Sequence, residues 1–231
     1  MALLSKSEGL RRDIQLGPSL LFPASAAGSG TDYEHILAVV TDLSKLAGTG
    51  QAGDLPLSAL IVRAVAWATE ATLTGAATNN FSWQVLQKRG GALLVSTTTA
   101  TAVAAPGSVT ITPAAMTNIV VGASLLCDVG ASAETTVVTA TTATTFTATF
   151  ANTHSSTWNI VSAPLVAVTY ASGTNDTALI PRQTKVTAQH VLLPGDIVTF
   201  KRVSSNATGL ASPAGSVSVD WVPAQGYRMA G

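Results

Sequence analysis

Residues 215–223 read Gly-Ser-Val-Ser-Val-Asp-Trp-Val-Pro, and this stretch decides the fold class. Val217, Val219 and Trp221 are apolar, and each is preceded by a polar residue. Successive side chains of a β-strand point to opposite faces, so a period of two places these three on the same face. The stretch therefore predicts a half-buried strand.

The same alternation recurs along much of the chain. It is present at residues 81–85, 146–150 and 166–170, where Val, Thr and aromatic residues favour strands. Turn residues separate such segments at intervals of about 8 to 12 residues. The predicted turns are Asn79-Asn80, Gly90-Gly91, Gly173-Thr174-Asn175, Pro194-Gly195-Asp196 and Pro213-Ala214-Gly215. Many short strands joined by turns predict an all-β protein built as a sandwich or a barrel.

Two segments fit short helices. Across residues 32–47, apolar side chains recur at helical spacing, although the β-branched residues fit a strand over 36–41 equally well. Residues 113–118 fit one helical turn, with Thr112 as the N-cap and Pro113 at the first helical position.

The balance of charge excludes some classes of partner. Twelve Lys and Arg residues balance twelve Asp and Glu residues, and charged residues make up 10% of the chain, against about 25% in an average soluble protein. Without a net field, we expect no nucleic acid partner bound through bulk electrostatics. No apolar run approaches the roughly 20 residues that cross a bilayer, and charges interrupt the amino-terminal segment where a signal peptide is apolar. We therefore expect no membrane partner and no export.

The charges are distributed unevenly. From Gly90 to Asn175, only Asp128 and Glu134 carry a formal charge. This shift in composition predicts a separate Thr-, Ala- and Val-rich module. The expected organisation is an extended N-terminal arm at 1–30, a β domain formed by 31–102 with 164–231, and the inserted module at 103–163.

A basic cluster on the arm is the only candidate binding site that charge suggests. It consists of Lys6, Arg11 and Arg12. The cluster either binds an acidic surface of a partner or belongs to an ordinary solvated terminal segment. The sequence leaves both interpretations open.

No pattern of residues predicts an enzyme or a cofactor. His35, His154 and His190 are far apart in sequence, and no nucleophile, zinc or thiol motif accompanies them. The acidic pairs Asp32 with Glu34 and Asp42 with Asp54 lack a context that would raise a carboxyl pKa for glycoside cleavage. The single cysteine, Cys127, lies in an apolar stretch and is expected to be a buried packing residue of a protein made in a reducing cytoplasm.

Two further groups of residues have alternative interpretations. Asp128, Glu134 and His154 offer two carboxylates and an imidazole to a divalent cation. No ligand spacing supports a metal, so we expect Asp128 to close a turn and Glu134 to hold a hairpin or contact a neighbour. The four tryptophans either stack on sugar rings or, as the alternating strands favour, pack in the core; they are Trp67, Trp83, Trp158 and Trp221.

Two parts of the chain resemble structural proteins of tailed bacteriophages. The first resembles a small β module of these proteins through Pro106-Gly107-Ser108, Val121-Gly122, Cys127-Asp128, Glu134 with alternating Val and Thr, Phe146-Thr147-Ala148-Thr149-Phe150 and His154. The second is similar to the jelly-roll domains of phage head decoration proteins and head fibres, through Leu60 to Thr72, Leu193 to Phe200 and Gly215 to Pro223.

The resemblance implies a fold and a role. The fold is a jelly-roll-like β-sandwich or barrel interrupted by a smaller inserted β module. The implied role is a capsid decoration, or cement, protein that binds the major capsid protein on the outside of the phage head as a homotrimer and stabilises the shell. Such a protein is made in the cytoplasm of the host bacterium and is located on the virion surface. The alternative is a tail, baseplate or fibre protein that binds a host glycan or receptor.

Overall fold

The computed structural model describes residues 19–28, 32–40, 60–128, 132–186, 191–204 and 209–223. These residues form antiparallel strands and contain no α-helix, which confirms the predicted all-β class. It follows that no helix among them is long and apolar enough to span a membrane. The chain divides into two compact units: unit 1 is Met1–Gly90 with Leu165–Gly231, and unit 2 is Gly91–Pro164.

The strands are numbered in chain order. They are β1 (Ser19–Phe22), β2 (Glu34–Val39), β3 (Leu60–Thr69), β4 (Leu73–Thr74), β5 (Phe81–Arg89), β6 (Ala92–Leu93), β7 (Ser96–Thr99), β8 (Gly107–Ile111), β9 (Ser124–Cys127), β10 (Glu134–Thr141), β11 (Phe146–Phe150), β12 (Trp158–Ser162), β13 (Val166–Thr169), β14 (Asn175–Asp176), β15 (Arg182–Lys185), β16 (Val191–Leu192), β17 (Asp196–Ser204) and β18 (Gly215–Pro223).

Unit 1 is a sandwich of two antiparallel sheets. One sheet has the order β1-β18-β3-β15, with β16 also paired to β3, and the other has the order β13-β5-β17-β2. The inner faces of both sheets contribute to one apolar core. The stretch that indicated the fold is β18, which lies between β1 and β3, with Val217 and Val219 buried as the alternation predicts.

Aromatic rings fill the centre of this core. Phe22 on β1 packs with its ring centroid 5.0 Å from those of both Trp83 on β5 and Phe200 on β17, and Trp67 on β3 packs edge-on against Trp83 at 6.1 Å. Such rings bury a large apolar area, and each fully buried side chain of this size contributes about 1.5–3 kcal/mol to folding. These rings link the two sheets within a core that also contains many aliphatic side chains.

The described part of the predicted arm contributes to the sandwich. Residues 19–22 form β1, which pairs in register with β18, and Phe22 at its end is 2% exposed. Residues 1–18 lie outside the described residues.

Unit 2 is a single six-stranded antiparallel sheet, in the order β7-β12-β9-β10-β11-β8, with its own core. It begins at Gly91, ahead of the expected position 103, because β7 pairs with β12 and so belongs to this sheet. Threonine hydroxyls bond across its exposed strands, as between Thr110 and Thr147 at 3.0 Å, which keeps a strand surface solvated without charge.

Both helix predictions are wrong where the structure describes them. Residues 34–39 form β2, which supports the strand alternative for the residues up to 39, while 41–47 lie outside the described residues. The β-branched side chains there suit a pleated edge strand. In the segment 113–118, Pro113 forms a β-bridge with Thr99, and Asn118 has a positive φ of 59°, which an α-helix does not permit.

Candidate functional site

Three titratable side chains meet at one end of the unit 2 sheet. Asp128 follows β9 with a φ of 64°, and Glu134 begins β10. The antiparallel register pairs Glu134 with Cys127, so the two carboxylates lie at the same end of the hairpin. His154 follows β11 and forms a β-bridge with Val103, which brings its ring to the same place.

Both ring nitrogens of His154 face a carboxylate. Nδ1 lies 3.0 Å from Asp128 Oδ2, and Nε2 lies 2.8 Å from Glu134 Oε1. The histidine side chain is 0% exposed and the carboxylates are 16% and 10% exposed. Each ring nitrogen is therefore engaged by one carboxylate, and the two contacts hold the ring between Asp128 and Glu134. We call these three residues the His154 cluster.

Glu134 has further donors. Its two carboxylate oxygens accept hydrogen bonds from the backbone N–H groups of Ala151 and Asn152, at 2.7 and 2.9 Å. Burial by itself raises the pKa of a carboxyl group, but these bonds and the contact with His154 outweigh it, so the pKa of Glu134 lies below its ordinary value. Glu134 therefore ties the β9–β10 hairpin to the segment after β11, in line with the structural role expected of it.

Aromatic rings enclose the histidine. The Trp158 ring stacks on it with centroids 4.7 Å apart, and Phe150 meets it edge-on at 5.5 Å. Trp158 Nε1 also donates to Thr101 O at 2.8 Å. Trp158 is buried, one face of its ring is covered by His154, and its indole N–H is bonded to Thr101. It therefore cannot stack on a sugar.

The other tryptophans are also packing residues. Trp67 and Trp83 are buried, and Trp221 is partly buried against the unit 1 core. The prediction that tryptophans in alternating strands belong to the core is confirmed for the buried three.

The His154 cluster is a poor metal site as it stands. A metal needs a ring nitrogen lone pair, and both nitrogens of His154 are occupied by carboxylates. Among the described residues, no group of three or more His, Cys, Asp or Glu side chains is arranged to hold a metal ion. The sequence grouped these three residues as possible metal ligands, and in the structure they contact one another through both ring nitrogens of His154.

Cys127 is confirmed as a buried residue. Its side chain lies in the unit 2 core. Burial, and to a smaller extent the charges of Glu134 and Asp128, raises the pKa of the thiol to about 12. At neutral pH the group is an unreactive thiol and not a nucleophilic thiolate.

Charged side chains of unit 1 also form ion pairs with one another within the fold. Asp196 follows the predicted Pro194-Gly195 turn and accepts hydrogen bonds from Arg89 Nε at 2.6 Å and Nη2 at 2.9 Å. Arg202, fully buried on β17, donates to Asp32 Oδ1 at 2.9 Å. Asp32 and Glu34 are not an acidic pair, since Glu34 instead contacts Lys88 at 2.5 Å.

Several predicted residues lie outside the described ranges. They include the basic cluster Lys6, Arg11 and Arg12, the acidic pair Asp42 and Asp54, and His190.

The sequence pattern does not predict which large apolar residues are exposed. Large aliphatic side chains that face solvent lie on strand β1, strand β2, strand β10 and several turns; they are Leu21, Ile36, Val39, Val120, Val121, Val137, Leu179, Ile180 and Leu193. Some of them lie beside turn residues, as in Leu179-Ile180-Pro181. For those within strands, alternation alone does not say which face of an edge strand is covered.

Comparison with protein families, with curated proteins and with solved structures finds no match to this chain.

Proposed function

We propose that this chain is a structural protein of a tailed-phage virion, a capsid decoration protein that binds the outer surface of the head and stabilises the shell. It is made in the cytoplasm of the host bacterium and acts without catalysis or a cofactor. Its proposed partners are the major capsid protein and further copies of itself, in a homotrimer, with neither nucleic acid nor membrane among them.

One observation carries the proposal. The side chains of the His154 cluster contact one another and the thiol of Cys127 is buried, whereas large aliphatic side chains are exposed on strands and turns. Exposed aliphatic side chains are a common feature of surfaces that bind other proteins. This distribution favours assembly over catalysis.

The order of strands supports the jelly-roll part of the proposal. Counting the eight principal strands of unit 1 as β1, β2, β3, β5, β13, β15, β17 and β18, one sheet runs first, eighth, third, sixth and the other runs fifth, fourth, seventh, second. This is the crossing pattern of a double Greek key, the arrangement found in viral capsid jelly rolls. Unit 2 is then an insertion between the fourth and fifth strands.

The neutral surface of unit 2 also fits an assembly role. Its edge strands β7 and β8 carry no charged residue, although charged side chains usually guard sheet edges against other chains. Weak neutral contacts suffice in a virion, because many symmetric copies multiply them.

The proposal is tested by binding to shells. Purified protein is mixed with phage heads assembled without it and then sedimented, with bovine serum albumin as a control for trapping. We expect saturable co-sedimentation and shells that withstand higher temperature. Protein that stays in the supernatant at every concentration contradicts the proposal, and binding to isolated tails alone favours the tail or fibre alternative.

A further inference from the structure

The loop between β14 and β15 presents two large aliphatic side chains to solvent. Leu179 is 74% exposed and Ile180 is 60% exposed. Leu179 also has a φ of 60°, a left-handed conformation that Gly and Asn adopt readily and bulky residues rarely do. We call Leu179 and Ile180 the apolar knob. Leucine is unfavourable here for two reasons, its left-handed backbone conformation and its exposed apolar side chain. Neither is explained by the needs of the turn, which indicates a contact with another molecule.

Backbone hydrogen bonds connect the knob to its surroundings. Leu179 N donates to Thr69 O on β3 at 2.7 Å, and Ile180 N donates to Thr177 O at 3.1 Å. Beneath the loop, buried Asp176 accepts hydrogen bonds from Arg182 Nε at 2.5 Å and from Trp67 Nε1 at 3.1 Å. Unfavourable backbone conformations persist where the surroundings hold them, and they concentrate at functional positions.

A cleft of about 620 Å³ lies beside the knob on the same unit. Ala26, Leu73, Leu210, Ala211 and Pro213 line it, and the other lining residues are Ala, Ser and Thr, without a charged side chain. It is a shallow depression that is open to solvent. We call it the neutral cleft.

The neutral cleft and the apolar knob are neighbours. Thr72 lines the cleft, and its Oγ1 accepts a hydrogen bond of 3.4 Å from Ala178 N in the knob loop. The high exposure of Leu179 and Ile180 means that a chain does not fill its own cleft with its own knob.

We propose that the apolar knob of one copy of this chain inserts into the neutral cleft of a second copy. The two surfaces match in charge, because neither carries a formal charge and their contact leaves no ion desolvated. The cleft has room for both aliphatic side chains. Since knob and cleft lie side by side, the contacts can close around a symmetry axis and need not propagate into a filament. The inference rests on the self-association in the proposed function and names its surface.

Two substitutions test the contact from opposite sides. Leu179→Asn removes the aliphatic group and suits the left-handed backbone, so the fold is not weakened. Ala211→Phe fills the cleft from an exposed position. The control is Val121→Asn, which changes a side chain that is 61% exposed in unit 2.

Sedimentation velocity over a range of micromolar concentrations measures self-association. We expect the wild type to associate, Leu179→Asn and Ala211→Phe each to weaken association at least about tenfold, and Val121→Asn to match the wild type. A monomeric wild type, or association that Leu179→Asn leaves unchanged, overturns the proposal.

A cross-linking experiment identifies what the knob touches. Leu179→Cys and Ala211→Cys proteins are oxidised separately and as a mixture. A disulfide-linked pair that forms mainly in the mixture supports the contact, whereas equal cross-linking by Leu179→Cys alone places knob against knob and overturns it. Association that depends on Leu179 in a protein that does not bind shells contradicts the proposed function but leaves this contact standing.

Discussion

His154 joins three segments of unit 2 through its two ring nitrogens. One nitrogen bonds the end of β9 through Asp128, and the other bonds the start of β10 through Glu134. The ring itself belongs to the segment after β11. Removing the ring takes one contact away from each of two carboxylates that are only 16% and 10% exposed.

His154→Leu is therefore expected to be strongly destabilising. The loss in the free energy of unfolding is about 3–5 kcal/mol, because two largely buried carboxylates each lose the ring nitrogen that they contact. Urea unfolding followed by tryptophan fluorescence measures it, with exposed Thr135→Ser as the control. A loss below about 1 kcal/mol, the value typical of a surface ion pair, contradicts this account of the cluster.

Glu134 makes the stability of unit 2 depend on pH. The pKa of Glu134 is lowered in the folded state, so its contribution is present above the ordinary carboxyl pKa and is lost as the pH falls through the lowered value. We expect the unit 2 unfolding transition to weaken below about pH 4. In Glu134→Gln the transition is weaker at neutral pH and less dependent on acid. An unchanged pH profile in that variant is the contrary result.

Cys127 provides a probe for the opening of unit 2. Because burial raises the pKa of its thiol to about 12, we expect no reaction with a thiol reagent in the native protein at neutral pH. Full reaction of one thiol per chain follows in denaturant, since the sequence contains a single cysteine. Labelling is read by absorbance of the released chromophore, and rapid labelling of native protein argues against the buried position.

Gly215 sets the spacing of β18 between its two neighbours. It pairs with Thr69 on β3 and with Phe22 on β1. A Cβ atom at this position would lie 2.2 Å from the Ala68 carbonyl oxygen and 2.6 Å from the Phe22 ring. Neither the backbone of β3 nor a ring in the aromatic core can move away at low cost.

Gly215→Ala is expected to destabilise unit 1. The clash costs about 1–3 kcal/mol or more, as overpacking does in other cores. Thermal unfolding measures the loss, and Ser216→Ala, one residue along the same strand, serves as the control with little expected change. Equal stability of Gly215→Ala and the control refutes the close approach.

Strands with a clear alternation could be predicted from the sequence, and those without it could not. β18 and β11 bury every second residue, so their pattern is visible locally. β2 is different, because it is an edge strand that exposes Ile36 and Val39, and its apolar residues match a helical spacing as well. The turn at 113–118 depends on the bond from Asn118 Nδ2 to Leu94 O, a contact distant in sequence.

The candidate site was predictable in part. Composition singled out Asp128 and Glu134 as the charges of a neutral stretch, and His154 lies in the same stretch. Their contact depends on the register of β9 with β10 and on the bridge from His154 to Val103. The apolar knob could not be predicted, because the φ of Leu179 and its exposure are set by tertiary contacts.

The two units are each expected to fold alone. Unit 2 has its own sheet and its own apolar core, and in unit 1 β5 and β13 are already antiparallel neighbours. Residues 91–164 expressed alone should give a dispersed NMR spectrum. The chain with these residues replaced by a short Gly-Asn linker should unfold cooperatively. A molten spectrum for residues 91–164, together with loss of cooperativity in the shortened chain, contradicts the independence of the units.

Imaging of whole virions tests the central claim most directly. Particles that carry this chain are compared by electron cryomicroscopy with particles produced after its gene is deleted. We predict that the difference density lies on the outer surface of the head, in symmetric clusters, and that it fits the two-sheet sandwich of unit 1. Identical heads, with difference density confined to the tail or absent from the virion, would contradict a capsid decoration protein.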